Sequence, residues 1–230
     1  MTVGLLDMRA HLQLVTPGTL VPRERLLATI AAAARGGIDA IQIRERSLSA
    51  SDLLALAIDG AERARGTDAR LLVNDRVDVA VAAGADGVHL PQRGLSAAKA
   101  RAMLLHGQLV GVSVHSLAEA IAAQTEGADY VMFGHVFPTA SHRGETPRGV
   151  AQLRAVVEAV RVPVIAIGGI DAHRAAEVME TGCAGVAVIG AIANSDDAEA
   201  ATRELRAALD AAGPVARPFP ERRAASWPSR

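Results

Sequence analysis

The chain has 230 residues, 24 Lys and Arg against 25 Asp and Glu, and a formal net charge of −1. That balance lacks the electrostatic footprint of a nucleic-acid binder, and a hydrophobic fraction of 50% excludes a disordered chain. The single cysteine, Cys183, excludes an internal disulfide and a Cys-cluster metal site. No apolar run approaches the ~20 residues that span a bilayer, and residues 1–15 lack a basic segment followed by an apolar stretch. The expectation is a cytoplasmic protein with neither nucleic-acid nor membrane partners.

Aromatic residues make up 2% of the chain, so the core must be built from Ala, Val, Leu and Ile. Lys99 is the only lysine, and it falls in the helical segment SAAKARAML. Arginine neither forms a Schiff base nor readily accepts a proton at neutral pH, which argues against lysine-dependent carbonyl chemistry.

In chain order, short apolar runs read as strands at 11–16, 40–43, 70–74, 87–90, 109–114, 130–134, 163–169 and 185–190. Ala-, Leu-, Arg- and Glu-rich segments with helical spacing lie between them, as in RERLLATIAAAARGG and SASDLLALAIDGAERAR. Several helices end at a glycine followed at once by the next strand: GGIDAIQI, GADGVHL, GADYVMF, GCAGVAVI. Continuous apolar runs suit strands covered on both faces. Eight of them, repeating at roughly 25 residues, predict an α/β fold of the (β/α)8 TIM-barrel type over residues 1–212; an open doubly wound sheet is the rival. Residues 213–230 are rich in Pro and Arg, lack a helical period, and read as a flexible or surface-draped tail.

Barrel sites form where strands end and helices begin, so the polar residues following each run are the candidates. These are Arg44, Glu45 and Arg46; Asn74, Asp75 and Arg76; His89 and Gln92; Ser113 and His115; and His135 with Thr139, Ser141, His142 and Arg143. Gly168-Gly169 and Gly190 close the last two runs. There, small residues let backbone N–H groups approach a phosphate, although they equally permit a tight turn. His135 is the leading acid–base candidate, because imidazole exchanges a proton near neutral pH. His89 and His115 are weaker candidates that line the pocket or shape it. Three such histidines suit zinc, but hydrogen-bonding roles of neutral imidazole are commoner, and no metal is expected. Arg44 and Arg46 are spaced to hold a carboxylate or phosphate, or to pair with neighbouring acids. Asn74-Asp75 anchors a loop or ligates Mg²⁺, and one acid makes a weak metal site.

IQIRERSLSASDLL, LLVNDRVDVA, GADGVHLPQ, GVSVHSLAEA, GADYVMFGHVFPTASHRG, PVIAIGGI and GVAVIGAI, in this order, resemble the thiamin-biosynthesis barrel superfamily. The resemblance covers roughly residues 10–195. It implies a (β/α)8 barrel acting on a small phosphorylated thiazole, in a superfamily whose members often form homo-oligomers. The superfamily holds two chemistries. Thiamine phosphate synthase joins an aminopyrimidine to a thiazole phosphate with Mg²⁺ and loss of pyrophosphate. Thiazole tautomerase moves a proton on a thiazole carboxylate phosphate without a metal.

Gln42, Asn74, Asp75 and Gln92 look like the synthase. Gln92-Arg93-Gly94 lacks the synthase's second Mg²⁺-binding aspartate, and Ser141-His142 stands where its Thr-Lys pair is expected. His135, with IRER, SVHSLAEA and DYVMFGHVF, looks like the tautomerase. The expectation is therefore a tautomerase-like isomerase with no cofactor, in which His135 is catalytic. Arg44, Arg46, Asn74, His115, Gly168, Gly169 and Gly190 would bind substrate. The alternatives are an Mg²⁺-dependent thiamine phosphate synthase and a non-catalytic, phosphate-ligand-binding regulatory barrel.

Overall fold

A computed structural model describes residues 8–18 and 21–221. Eight parallel strands close into a barrel in sequence order. They are β1 (His11–Val15), β2 (Ala40–Ile43), β3 (Arg70–Asn74), β4 (Gly87–Leu90), β5 (Leu109–Val114), β6 (Tyr130–Gly134), β7 (Val164–Ile167) and β8 (Gly185–Val188). The connecting helices are α1 (Arg23–Arg35), α2 (Ala50–Arg63), α3 (Val77–Ala82), α4 (Ala97–Met103), α5 (Leu117–Thr125), α6 (Gly149–Ala159), α7 (Ala172–Met179) and α8 (Gly190–Ala193), with α9 (Ala198–Ala211) completing the outer ring. The fold is the predicted TIM barrel, and β2 to β6 have the predicted boundaries. β7 is shorter than predicted because Gly168 and Gly169 turn to φ +103° and +66°. β8 stops at Val188 because Ile189 already caps α8. Among the described residues no helix is long and apolar enough to cross a membrane.

The predicted Gly-to-strand junctions contain a device at the barrel's N-terminal end. Asp39, Asp86 and Asp129 each precede a strand, and each carboxylate accepts the backbone N–H of the preceding strand's start: Leu12, Leu71 and Val110, at 2.7–2.8 Å. The acid thus ties adjacent strands where the sheet ladder begins. Local helix signals are equally direct. Ser49, Ser116, Asp171 and Asp197 accept a backbone N–H from the first turn of α2, α5, α7 and α9.

Strand residues alternate between two environments. Leu12, Leu14, Ile41, Ile43, Leu71 and Val73 pack against the helices. Val15, Ala40, Leu72, Tyr130, Met132, Ile165 and Ala187 form a second cluster in the barrel interior. Tyr130 and Phe133 are the largest fully buried side chains, so the scarce aromatics supplement the aliphatic core.

The described part of the C-terminal segment, up to Glu221, crosses under the barrel. Val215 N–H donates to Met8 O at 2.8 Å, and Arg70 donates to Pro220 O. The Phe219 ring stacks on His11 with centroids 3.7 Å apart and lies 4.8 Å from Tyr130. Residues 222–230 of the expected tail lie outside the described residues.

Candidate active site

A polar column runs through the barrel interior. His11 Nε2 and Gln13 Oε1 are 3.2 Å apart, Gln13 Nε2 donates to Gln42 Oε1 at 2.9 Å, and Gln42 Nε2 donates to Asn74 Oδ1 at 3.0 Å. Across the barrel, His89 lies between the Tyr130 hydroxyl (Nδ1, 2.9 Å) and Ser113 Oγ (Nε2, 2.8 Å). All but Ser113 are buried. Burial pushes His89 down to about 3 and His11 down to about 4, and raises the Tyr130 hydroxyl. His89 is therefore a neutral hydrogen-bonding group near pH 7. The column delivers Asn74 and Ser113 to the C-terminal mouth in fixed orientations. The sequence reading had missed Gln13 and Tyr130 as parts of this network. Its signal was polar residues at alternate positions of otherwise apolar strands: His11 and Gln13 in HLQLV, Gln42 in AIQI.

At the mouth, Arg44 is half-buried and Arg46 is exposed. Burial and then the Arg46 charge lower the Arg44 pKa. Between them, Glu45 is buried and accepts the Gly18 N–H at 3.2 Å. Arg44 N–H donates to Thr16 Oγ1 at 2.7 Å, binding the β1 and β2 exits together. Arg44 is thus positioned at the rim by loop contacts, while Arg46 projects to solvent.

Asp75 sits at φ +65°, the one non-glycine residue with positive φ among those described. Its N–H donates to His89 O at 2.9 Å, which fixes the β3 exit against β4. A β-carbon on Gly94 would lie 3.1 Å from Asp75 Oδ1, so residue 94 is the immediate neighbour of this carboxylate. Gln92 donates Nε2 to Glu119 Oε1 at 3.0 Å.

His115 Nδ1 bonds Gly134 O at 2.7 Å, joining the β5 and β6 exits. His135 follows, only 3% exposed, and neither ring nitrogen makes a hydrogen bond of good geometry. Its ring stacks on His142 at a centroid distance of 4.7 Å. Burial, then the His142 and Arg148 charges, lower its pKa. Arg148, absent from the sequence-derived set, donates Nε to His115 O at 2.7 Å, while its N–H donates to His135 O at 3.0 Å. The structure therefore brings together His115, His135, His142 and Arg148. It does not converge His89, His115 and His135 on one point, since His89 is spent on Tyr130 and Ser113.

The β7 exit packs directly on this group. Val136 N–H bonds Ile167 O and Phe137 N–H bonds Gly168 O, so the chain after β6 continues the ladder. A β-carbon on Gly169 would lie 2.5 Å from Pro138 O. Gly190 opens the one-turn helix α8, where a β-carbon would lie 2.9 Å from Asn194 Nδ2. Arg174 donates to Gly169 O and lies 4.9 Å over the Phe137 ring, a second cation that the sequence reading did not select.

Residues 12–192 match the thiamine monophosphate synthase family. The chain belongs to that family. It is 46% identical to the putative thiamine-phosphate synthase of Geobacter sulfurreducens over 186 residues, 80% of this chain and 87% of that protein. It is 46% identical to the thiamine-phosphate synthase of Methanoculleus marisnigri over 187 residues, 81% of this chain and 88% of that one. The structure titled thiamine phosphate pyrophosphorylase from Pyrococcus furiosus superposes with a TM-score of 0.81 at 36% identity, covering 90% of this chain and 98% of that one.

These relatives correct the sequence-based expectation of a tautomerase-like isomerase. Curated relatives at 36–46% identity carry the name of the synthase that stood as the alternative. In the sequence, His135, Ser141-His142 and the missing aspartate at Gln92-Arg93-Gly94 outweigh the synthase-like Gln42, Asn74, Asp75 and Gln92. The structure explains part of that misjudgement: Gln42 and Asn74 are joined in the interior column, whereas His142 and Arg143 are exposed on a short turn.

Proposed function

We propose that this chain is a thiamine-phosphate synthase: a transferase that joins an aminopyrimidine, supplied as its pyrophosphate ester, to a thiazole phosphate. The bond from the pyrimidine unit to pyrophosphate breaks and a bond to the thiazole forms. The observation that carries this reading is identity of 36–46% to proteins of that name across 75–87% of this chain.

In this reading the uncharged column ends, Asn74 and the His89-Ser113 pair, face an aminopyrimidine ring, which both donates and accepts hydrogen bonds. Arg44 and Arg148 supply rim cations for anionic groups, with His115 held beside Arg148. Backbone at Gly168, Gly169 and Gly190 meets phosphate oxygens without side-chain obstruction. Arg46 adds charge from solvent. Displacement of pyrophosphate requires no proton removal from the thiazole, so His135 has no acid–base step here.

The family resemblance implies Mg²⁺ held by two aspartates. The residues present do not fit that pair. Asp75 is exposed at the β3 exit, and its neighbour at 94 is glycine.

The test supplies purified protein with the aminopyrimidine pyrophosphate and thiazole phosphate, across a series of divalent cations and with chelator. Equimolar pyrophosphate and thiamine phosphate are expected. Ligand binding, seen as a thermal shift, with no pyrophosphate released under any cation overturns the transferase reading and leaves a binding barrel.

A further inference from the structure

We propose that His135, His142 and Glu145 form a binding site for a divalent transition-metal ion of the zinc class. Each offers one ligand atom, and the three atoms lie within 4.8 Å of one another. They come from the segment between β6 and α6, away from Asp75.

The second observation is the state of His135. Its ring is 3% exposed, yet neither Nδ1 nor Nε2 makes a hydrogen bond of good geometry, and the Glu145 backbone interacts with the ring only weakly. Buried polar atoms are nearly always satisfied, because a bare one keeps the full cost of its lost hydration. A buried ring this poorly satisfied, under an exposed histidine and a carboxylate, has a lone pair free for a metal ion. The donor types agree with this. Two imidazoles and one carboxylate, with a fourth position left open, is a recurrent zinc arrangement, whereas Mg²⁺ prefers oxygen alone.

The geometry needs one adjustment. His142 Nδ1 and Glu145 Oε1 are already 3.1 Å apart. Ligands at zinc distances in a tetrahedron stand about 3.4 Å from one another. The His135 and His142 rings are stacked nearly parallel, so their in-plane lone pairs do not yet converge. His142 and Glu145 have side chains 43% and 60% exposed, so both can turn toward the fixed His135 without disturbing the core. Arg148, which lies beside His135, is the opposing charge that the ion must tolerate.

The location adds meaning. Gly168 packs against His135, so the ion would sit beside the β7 exit. Its open position suits an anionic oxygen such as that of a phosphate. Only that use in turnover rests on the proposed transferase reading; the binding site does not.

The experiment titrates the metal-free full chain with Co²⁺, whose visible bands report nitrogen and oxygen coordination, and then displaces it with Zn²⁺. One equivalent is expected. H142A and E145Q, both at exposed side chains, should each weaken binding by about 10-fold or more, with folding checked by circular dichroism. H106A and H173A, at exposed histidines elsewhere, should leave it unchanged. The proposal is overturned if no Co²⁺ bands develop, if H142A and E145Q bind like the parent chain, or if D75N rather than H142A abolishes binding.

Discussion

A methyl group on Gly168 would lie 2.4 Å from Cβ of His135 and 2.7 Å from its Cα. The β7 exit can therefore approach the β6 exit only because residue 168 has no side chain. Its φ of +103° excludes other residues for a second reason. Gly127 separates the two effects, since it has φ +90° with nothing within 4 Å of the missing β-carbon. Gly127→Ala should cost about 1–2 kcal/mol from backbone strain alone. Gly168→Ala should cost more and also lower turnover, because the backbone proposed to meet the phosphate must shift. Urea unfolding of both variants checks this. Equal losses would mean that the loop yields freely at 168.

The buried column makes stability acid-sensitive in a defined window. His11 and His89 titrate at about 4 and 3 when folded, against 6.5 when exposed. Above pH 6.5 both are neutral in either state and contribute no pH dependence. Below it the unfolded chain takes up protons that the folded chain refuses, so stability falls with pH down to about 4 for His11 and about 3 for His89. Each histidine adds a slope of about 1.4 kcal/mol per pH unit inside its window. His89→Gln, which keeps a neutral hydrogen-bonding group, should remove its share between pH 6 and 5. An unchanged slope in denaturant unfolding across that range would show that His89 is not held neutral by burial.

Phe219 is a lid on the barrel's N-terminal end rather than part of the catalytic mouth. It covers His11, touches Tyr130, and lies 5.4 Å from the Arg70 guanidinium carbon. Phe219→Ala should destabilise the fold by about 1–3 kcal/mol through lost apolar and stacking contact. It should also admit water to His11 and move its pKa upward toward 6.5. With a smaller gap between folded and unfolded values, the variant loses stability less steeply between pH 6.5 and 4. NMR titration of the His11 ring reads this directly. A His11 value unchanged at about 4 would place its shielding in the strands alone.

The barrel was legible in the sequence because each strand reads as an apolar run and several helices announce their ends with glycine. The strand exits were legible for the same reason, so His115, His135 and Gly168 were placed at the mouth. The interior column was harder to read. Gln13 and Tyr130 matter through partners 29 and 41 residues away, Gln42 and His89, and no local pattern carries that pairing. Arg148 and Arg174 begin helical segments, where arginine is ordinary, and only the folded loops bring them to His115 and Gly169. The choice between two chemistries on one barrel turned on a few loop residues, and the loop at 141–143 weighed more in the sequence than its exposed place on the fold warrants.

Gly94 offers a gain-of-function test of the metal question. Its missing β-carbon points at Asp75 Oδ1 from 3.1 Å, and its backbone is not in the left-handed region, so an aspartate meets no backbone strain there. Contacts of 3.0–3.1 Å with the Pro91 ring require a small local shift. Without metal, Gly94→Asp should destabilise the chain, because two carboxylates are forced together. With Mg²⁺ at about 100 times its dissociation constant, binding to the folded state alone returns about 2.7 kcal/mol, or a rise in Tm of roughly 5–10 °C for a chain of this size. The parent chain should show a much smaller Mg²⁺ shift, since Asp75 lacks the second acid. Thermal unfolding of both proteins with and without Mg²⁺ decides it. Equal shifts would mean that Asp75 and its surroundings already hold the ion, and would restore the family's magnesium chemistry to this site without any change at residue 94.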